Sequence, residues 1–183
     1  MLLYIPNEEH NHIIFFDTEF NSQKLIQVSL IIYERIIVDS IPSYLLSGSI
    51  NLYIDNEINQ FFTQYTGINQ TFLNQNAVSQ QEAKESLQRF LAPISNSEKT
   101  LLVAHGLKQD RILLEDMGLN IDRMDRYCTY TESKKILNRD KDLRLIDICN
   151  ESGYFTDQHD AYSDAKNVIH AFSYLKLIET TVK

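Results

Sequence analysis

The sequence predicts an α/β domain, a mixed sheet with helices packed on its faces. Three observations lead there. Strand-like apolar runs fill the first third of the chain, strand and helix patterns then alternate, and the acidic residues of interest fall at strand ends and helix starts. A length of 183 residues supports one full core without room for a second, so a single domain over 1–183 is expected.

Taken in order, Ile13 to Phe16 form a continuous apolar run leading into Asp17-Thr18-Glu19, the pattern of a strand buried on both faces. The segment LIQVSLIIY at 25–33 predicts a second strand, residues 36–39 a third and 49–54 a fourth. In the fourth, Ile50, Leu52 and Ile54 alternate with Asn51 and Tyr53, which marks a half-exposed strand. Residues 55–78 are rich in Asn, Gln and Thr and read as loop with helical turns. Ser79-Gln80-Gln81-Glu82 is a capping box, followed by Ala83, Leu87, Phe90 and Leu91 at helical spacing and closed by Pro93.

Leu101 to Ala104 predict another core strand, and Asp110 to Met117 a helix stopped by Gly118. Tyr127 to Tyr130 suit a short strand, and Leu143 to Asn150 a helix ending near Gly153. Ala161, Ala165, Val168, Phe172 and Leu175 form one stripe of a final helix.

Composition narrows the class. Apolar content of 43% and charged content of 23% are those of an ordinary globular protein, and no apolar stretch approaches the ~20 residues of a membrane span. The acidic N-terminal segment lacks the basic start of a signal peptide, and two cysteines, Cys128 and Cys149, read as buried thiols. A cytoplasmic protein without membrane association is expected. The net charge of −8 disfavours broad electrostatic binding of nucleic acid, although nine of the 17 basic residues lie in residues 108–144. Most of those nine are expected to be solvated charges.

Asp17 and Glu19 are the first candidate site residues. Residues i and i+2 of a strand share a face, so the two carboxylates would aim at one point, an arrangement a hard divalent cation tolerates. The second Asp-x-Glu, Asp55 to Glu57, follows the half-exposed strand and is expected at the surface. Asp110 opens a helix after a core strand, and Asp164 lies early in the last helix, where either could simply favour the helix dipole. His159 stands five residues before Asp164, about 140° away on a continuous helix, so the two act together only if His159 sits on the preceding loop. Asp157 and Asp160 around it favour that break. His105 is read first as satisfying a backbone group near the sheet end rather than serving as a ligand.

Order, flanks and spacing resemble the DEDDh 3′→5′ exonucleases, the DnaQ-like group of the ribonuclease H-like superfamily, over residues 12–178. FFDTEF is similar to the first motif and LLVAHGLKQDRILL to the second, while HDAYSDA matches the third, His-x-Ala-x-x-Asp-Ala, at each specified position. Thr66-Gly67-Ile68 stands where the family often has the same triplet. Gly106 replaces the family's usual Asn, and Gln109 its usual aromatic residue.

The resemblance implies a ribonuclease H-like fold with a central mixed five-stranded sheet. It further implies a site in which Asp17, Glu19, Asp110 and Asp164 hold two divalent metal ions, Mg²⁺ or Mn²⁺, with His159 as general base. Thr18, Phe20 and His105 become candidate substrate contacts, with Phe20 reading equally well as core. The implied activity is 3′→5′ hydrolysis at single-stranded 3′ ends of DNA or RNA, releasing nucleoside 5′-monophosphates. A protein partner is not specified by any motif. An inactive nucleic-acid or protein-binding member and a ribonuclease H-like endonuclease are the alternatives.

Overall fold

The computed structural model describes residues 1–94, 99–154 and 159–181. Its sheet has six strands: β1 (Leu2–Leu3), β2 (His12–Asn21), β3 (Lys24–Val38), β4 (Ile41–Tyr53), β5 (Thr100–Ala104) and β6 (Asp125–Cys128). Among the described residues there are seven helices: α1 (Gln60–Thr66), α2 (Gln70–Asn76), α3 (Gln80–Leu91), α4 (Leu107–Asp116), α5 (Thr129–Ile136), α6 (Leu145–Glu151) and α7 (Ala161–Thr181). The strand order is β1-β4-β3-β2-β5-β6, antiparallel from β1 to β2 and parallel across β2, β5 and β6. The mixed α/β sheet is as expected, with one strand more than the five implied. Two residues of β1 are too few to carry a periodic signal.

Several boundaries differ from the expectation. The second and third predicted strands are one, β3, because Glu34 and Arg35 continue the ladder opposite Leu45 and Tyr44. Asp39 and Ser40, at φ 49° and 68°, make the two-residue left-handed turn that joins β3 to β4. The predicted strand at 127–130 lies at 125–128, and α5 follows at once. Helix α5 escapes a hydrophobic reading because its buried residues are Thr129 and Ser133. Helix α4 starts three residues before Asp110, with Gly106 at its N-cap. The capping box of α3 forms as predicted. Cys149 is buried, whereas Cys128 is only half-buried.

Alternation along β2 assigns its two faces. Ile14 and Phe16 pack in the core that includes Leu87 and Leu91 of α3 and Leu113 and Leu114 of α4. Ile13 and Phe15 pack against Val168, Ile169 and Phe172 of α7. All five residues of the predicted α7 stripe are fully buried, at 0% exposure. The sheet is therefore covered on both faces, and the carboxyl ends of the parallel neighbours β2 and β5 open together between α4 and α7. No helix among the described residues is long and apolar enough to cross a membrane.

Candidate functional site

The first site residues stand where β2 leaves the core. Asp17 and Glu19 continue the face of Ile13 and Phe15, towards α7, and a register shift between Glu19 and Phe20 marks a bulge. Phe20 beyond it is 41% exposed, so it is not core filler. Asp164 comes from the first turn of α7. One oxygen from each of Asp17, Glu19 and Asp164 lies within 4.8 Å of the others. Asp110 enters from the opposite face of the sheet on α4. Its carboxylate accepts a 2.6 Å hydrogen bond from Thr18 Oγ1, the β2 side chain between the two acids. Thr18 thus has its hydroxyl committed to Asp110, and that side chain is buried.

The electrostatics follow from this crowding. Burial, then the charges of Asp110, Asp164 and Glu19, push the Asp17 carboxyl well above the ordinary range. Burial and the neighbouring Asp164, Asp160 and Asp110 raise Glu19 from 4.5 to about 7. Burial also raises Asp110 against the lowering pull of the Thr18 hydrogen bond. Asp164 is raised by burial as well, opposed by donors from Asn167 Nδ2 at 3.0 Å and the His159 amide at 3.3 Å. Repulsion among oxygen-only donors of this kind is relieved by a hard divalent cation, and the donor set fits such a cation.

His159 lies outside α7, two residues before its first turn, at φ 71°. It shares a cleft wall with Asp17 and Asp164, and its ring lies on Tyr65 of α1 with centroids 4.2 Å apart. The loop break needed for His159 and Asp164 to meet is therefore present. Asp160 makes the break, capping α7 by accepting from Ser163 N at 3.0 Å. Asp157 lies outside the described residues.

Two adjoining clefts meet at the acids. One, of about 570 Å³, runs past Thr18, Phe20, Phe61 and Phe62. The other, of about 620 Å³, runs past His159 towards Tyr130 and Arg144. Asp17, Tyr65, His105, Gly106 and Asp164 line both. His105 Nδ1 lies 3.0 Å from Thr129 Oγ1, and burial depresses its pKa to about 4, which keeps the ring neutral. Nδ1 thus meets a side-chain hydroxyl, the expected backbone partner is that of Leu143, and the ring also lines the cleft. Asp55 and Glu57 are exposed, as expected.

The basic segment stays mostly bland. Arg111, Arg126, Lys134, Lys135, Arg139 and Arg144 each pair with an acid within twelve residues in sequence, and of these Arg144 reaches the cleft. Three contributors carried no motif. Phe61 and Tyr65 are four apart on α1, with parallel rings at 6.5 Å, and both are exposed at the cleft. Their i, i+4 spacing before Thr66-Gly67-Ile68 was the available signal. That triplet ends α1: Gly67 takes φ 75° and Ile68 is buried against Phe62, Leu73 and Ile26. The third contributor is Gln27, polar and fully buried in the middle of an apolar strand.

Comparison with known proteins gives a consistent picture. The family model RNase_T, described as Exonuclease, matches residues 14–172. No curated protein matches significantly. Among solved structures, E. coli exonuclease I in complex with a 5cy-dA13 oligonucleotide superposes with a TM-score of 0.66 at 12% identity, over 94% of this chain and 42% of that one. Cell-death related nuclease 4 (CRN-4) superposes with a TM-score of 0.65 at 16% identity, over 93% of this chain and 64% of that one. A 3′-exonuclease described in 3′-end specific recognition of histone mRNA stem-loop gives a TM-score of 0.68 at 12% identity, over 94% and 84%. The chain thus spans less than half of exonuclease I and most of the last. At these identities the likeness is one of fold.

Proposed function

The chain belongs to the RNase_T exonuclease family, of the DnaQ-like group, and from that membership we propose that it is a metal-dependent 3′→5′ exonuclease. It would remove nucleoside 5′-monophosphates from single-stranded 3′ ends of DNA or RNA. The observation that carries this reading is the meeting of Asp17, Glu19 and Asp164 within 4.8 Å where two clefts adjoin, one of them lined by His159. Asp110 completes the acidic set from α4.

In this reading Asp17, Glu19, Asp110 and Asp164 would hold two divalent cations, Mg²⁺ or Mn²⁺, which would offset the negative charge that builds on the attacking and leaving oxygens of a phosphodiester. His159 takes a proton from the attacking water through a ring nitrogen. Its position on the loop keeps the ring off α7 and in the cleft that Asp164 also lines, and Tyr65 supports its face. The terminal nucleotide sits in the cleft bordered by Phe20 and Phe61. Aromatic stacking there accepts any base, so degradation independent of sequence is expected. The backbone at Thr18 and the edge of His105 line the same space. A short strand end suits a chain of net charge −8, which offers no broad basic surface for a long duplex.

The test is hydrolysis of matched 5′-labelled DNA and RNA oligonucleotides with Mg²⁺ or Mn²⁺, with products sized. Stepwise shortening with mononucleotide release is expected, lost in Asp17→Ala and His159→Ala. Internal fragments would support an endonuclease instead, and intact substrates with both metals would refute the reading.

A further inference from the structure

The acidic cluster draws on two elements that the motifs do not hold together: Asp17 and Glu19 ride on β2, Asp164 on α7. Gln27 of β3 stands at their junction. It is the cross-strand partner of Glu19 and is fully buried, at 0% exposure. Both arms of its amide are engaged. Nε2 donates to Asp160 Oδ1 at 2.6 Å and to Asn51 Oδ1 at 3.0 Å, while Oε1 accepts from the Ala161 amide at 3.1 Å. Asp160 in turn caps α7, accepting from Ser163 N and Oγ at 3.0 and 2.9 Å, and its carbonyl accepts from the Asp164 amide at 2.9 Å.

The chemistry of the amide matters here. Its donor arm faces an acceptor-only carboxylate, and its acceptor arm faces an N–H of the first helical turn, which has no partner inside the helix. A hydrocarbon at this position strands both groups in a buried setting. A carboxylate presents an acceptor to an acceptor. The clamp therefore specifies where α7 begins relative to the strands that carry Asp17 and Glu19, and one turn later Asp164 is delivered to within 4.8 Å of them.

We propose that Gln27 is a positioning residue: its amide locks the first turn of α7 to β3 and so sets the separation of Asp164 from Asp17 and Glu19 on which cation affinity depends. This role rests on the reading of the carboxylates as a cation site.

The experiment compares wild type, Gln27→Glu, Gln27→Met and the double variant Gln27→Glu with Asp160→Asn. Three readouts are used: Mn²⁺ titration calorimetry, melting without metal, and hydrogen exchange at the Ala161 amide. Gln27→Glu and Gln27→Met should each weaken Mn²⁺ binding by about 10–100-fold, the range for residues that orient metal ligands. Asp160→Asn should restore affinity to Gln27→Glu, because the new amide can donate to Glu at 27 while still capping Ser163. Unchanged Mn²⁺ affinity in Gln27→Glu, or absence of rescue in the double variant, would overturn the proposal. Loss of affinity in strict proportion to loss of melting temperature would do the same. Wild-type protein that binds no Mn²⁺ sinks the functional reading, and exchange then decides the clamp separately. Protection of the Ala161 amide lost in Gln27→Glu and regained in the double variant retains the clamp, and equal exchange in both rejects it.

Discussion

Glu19→Gln should make the metal-free protein more stable near pH 8 while removing its response to divalent cations. Burial and the charges of Asp164, Asp160 and Asp110 carry Glu19 from 4.5 to about 7. The sign follows from proton counting. Between about pH 4.5 and 7 the folded protein holds a proton that the unfolded chain has released, so stability falls as pH rises through this window and stays reduced above it. At about 1.36 kcal/mol per tenfold change in proton affinity, the ionised carboxylate costs about 3 kcal/mol. Glu19 keeps some solvent contact, and screening reduces this to about 1–2 kcal/mol. Glutamine keeps the shape and carries no charge. For a chain of this length the gain corresponds to about 2–8 °C in melting temperature near pH 8, shrinking towards zero near pH 4.5. Melting curves at both pH values, with chelator and with excess Mn²⁺, check this. Wild type should be stabilised by Mn²⁺ and the variant should not. A variant less stable than wild type at pH 8 in chelator would show that crowding at Glu19 is not the strain described.

Thr18→Val removes the 2.6 Å donor to the buried Asp110 carboxylate. Denaturant unfolding near neutral pH should show a loss of about 1–3 kcal/mol, and hydrolysis should need higher pH as Asp110 holds its proton more tightly. Phe61→Ala removes a ring that is 76% exposed, so melting should hardly change while KM for an oligonucleotide rises about fivefold or more, as expected for a lost stacking partner. Gly106 sits at φ 86° with no atom within 4 Å of an added Cβ. Gly106→Asn should therefore fold with a loss under about 1 kcal/mol, Asn being tolerant of the left-handed region, whereas Gly106→Val should lose clearly more in the same melting assay.

Which parts of the site were legible depended on whether a residue's role is local. Asp17 and Glu19 declare themselves because period-two alternation puts them on one face of a strand that is otherwise apolar. His159 declares itself through helix geometry, since the five-residue step to Asp164 works only across a break, and the break is there. Asp110 was legible as a helix acid, but its dependence on Thr18 spans 92 residues, and no local pattern predicts which strand hydroxyl on the α4 face will meet it. Fold features divide the same way. The α7 stripe and the α3 cap are local and were readable, whereas the hairpin at Asp39 and Ser40 uses turn residues less distinctive than Asn-Gly. Helix α5 buries hydroxyls rather than hydrocarbon, leaving no periodic trace.

Gln27 shows that the boundary is not only one of distance. A polar side chain in LIQVSLIIY, a run otherwise suited to burial on both faces, breaks the local rule without any compensating pattern nearby. Its partners, Asp160 and Ala161, lie more than 130 residues away. The violation itself was visible, and its cause was not. A buried amide survives only where its hydrogen bonds are met, so a lone Gln in a core strand implies a polar partner arriving from elsewhere in the chain. In an α/β sheet with acids gathered at one end of β2, the element most able to bring that partner is the helix that also brings the last acid. The requirement that one helix start satisfy both Gln27 and the acidic cluster places α7 against β3.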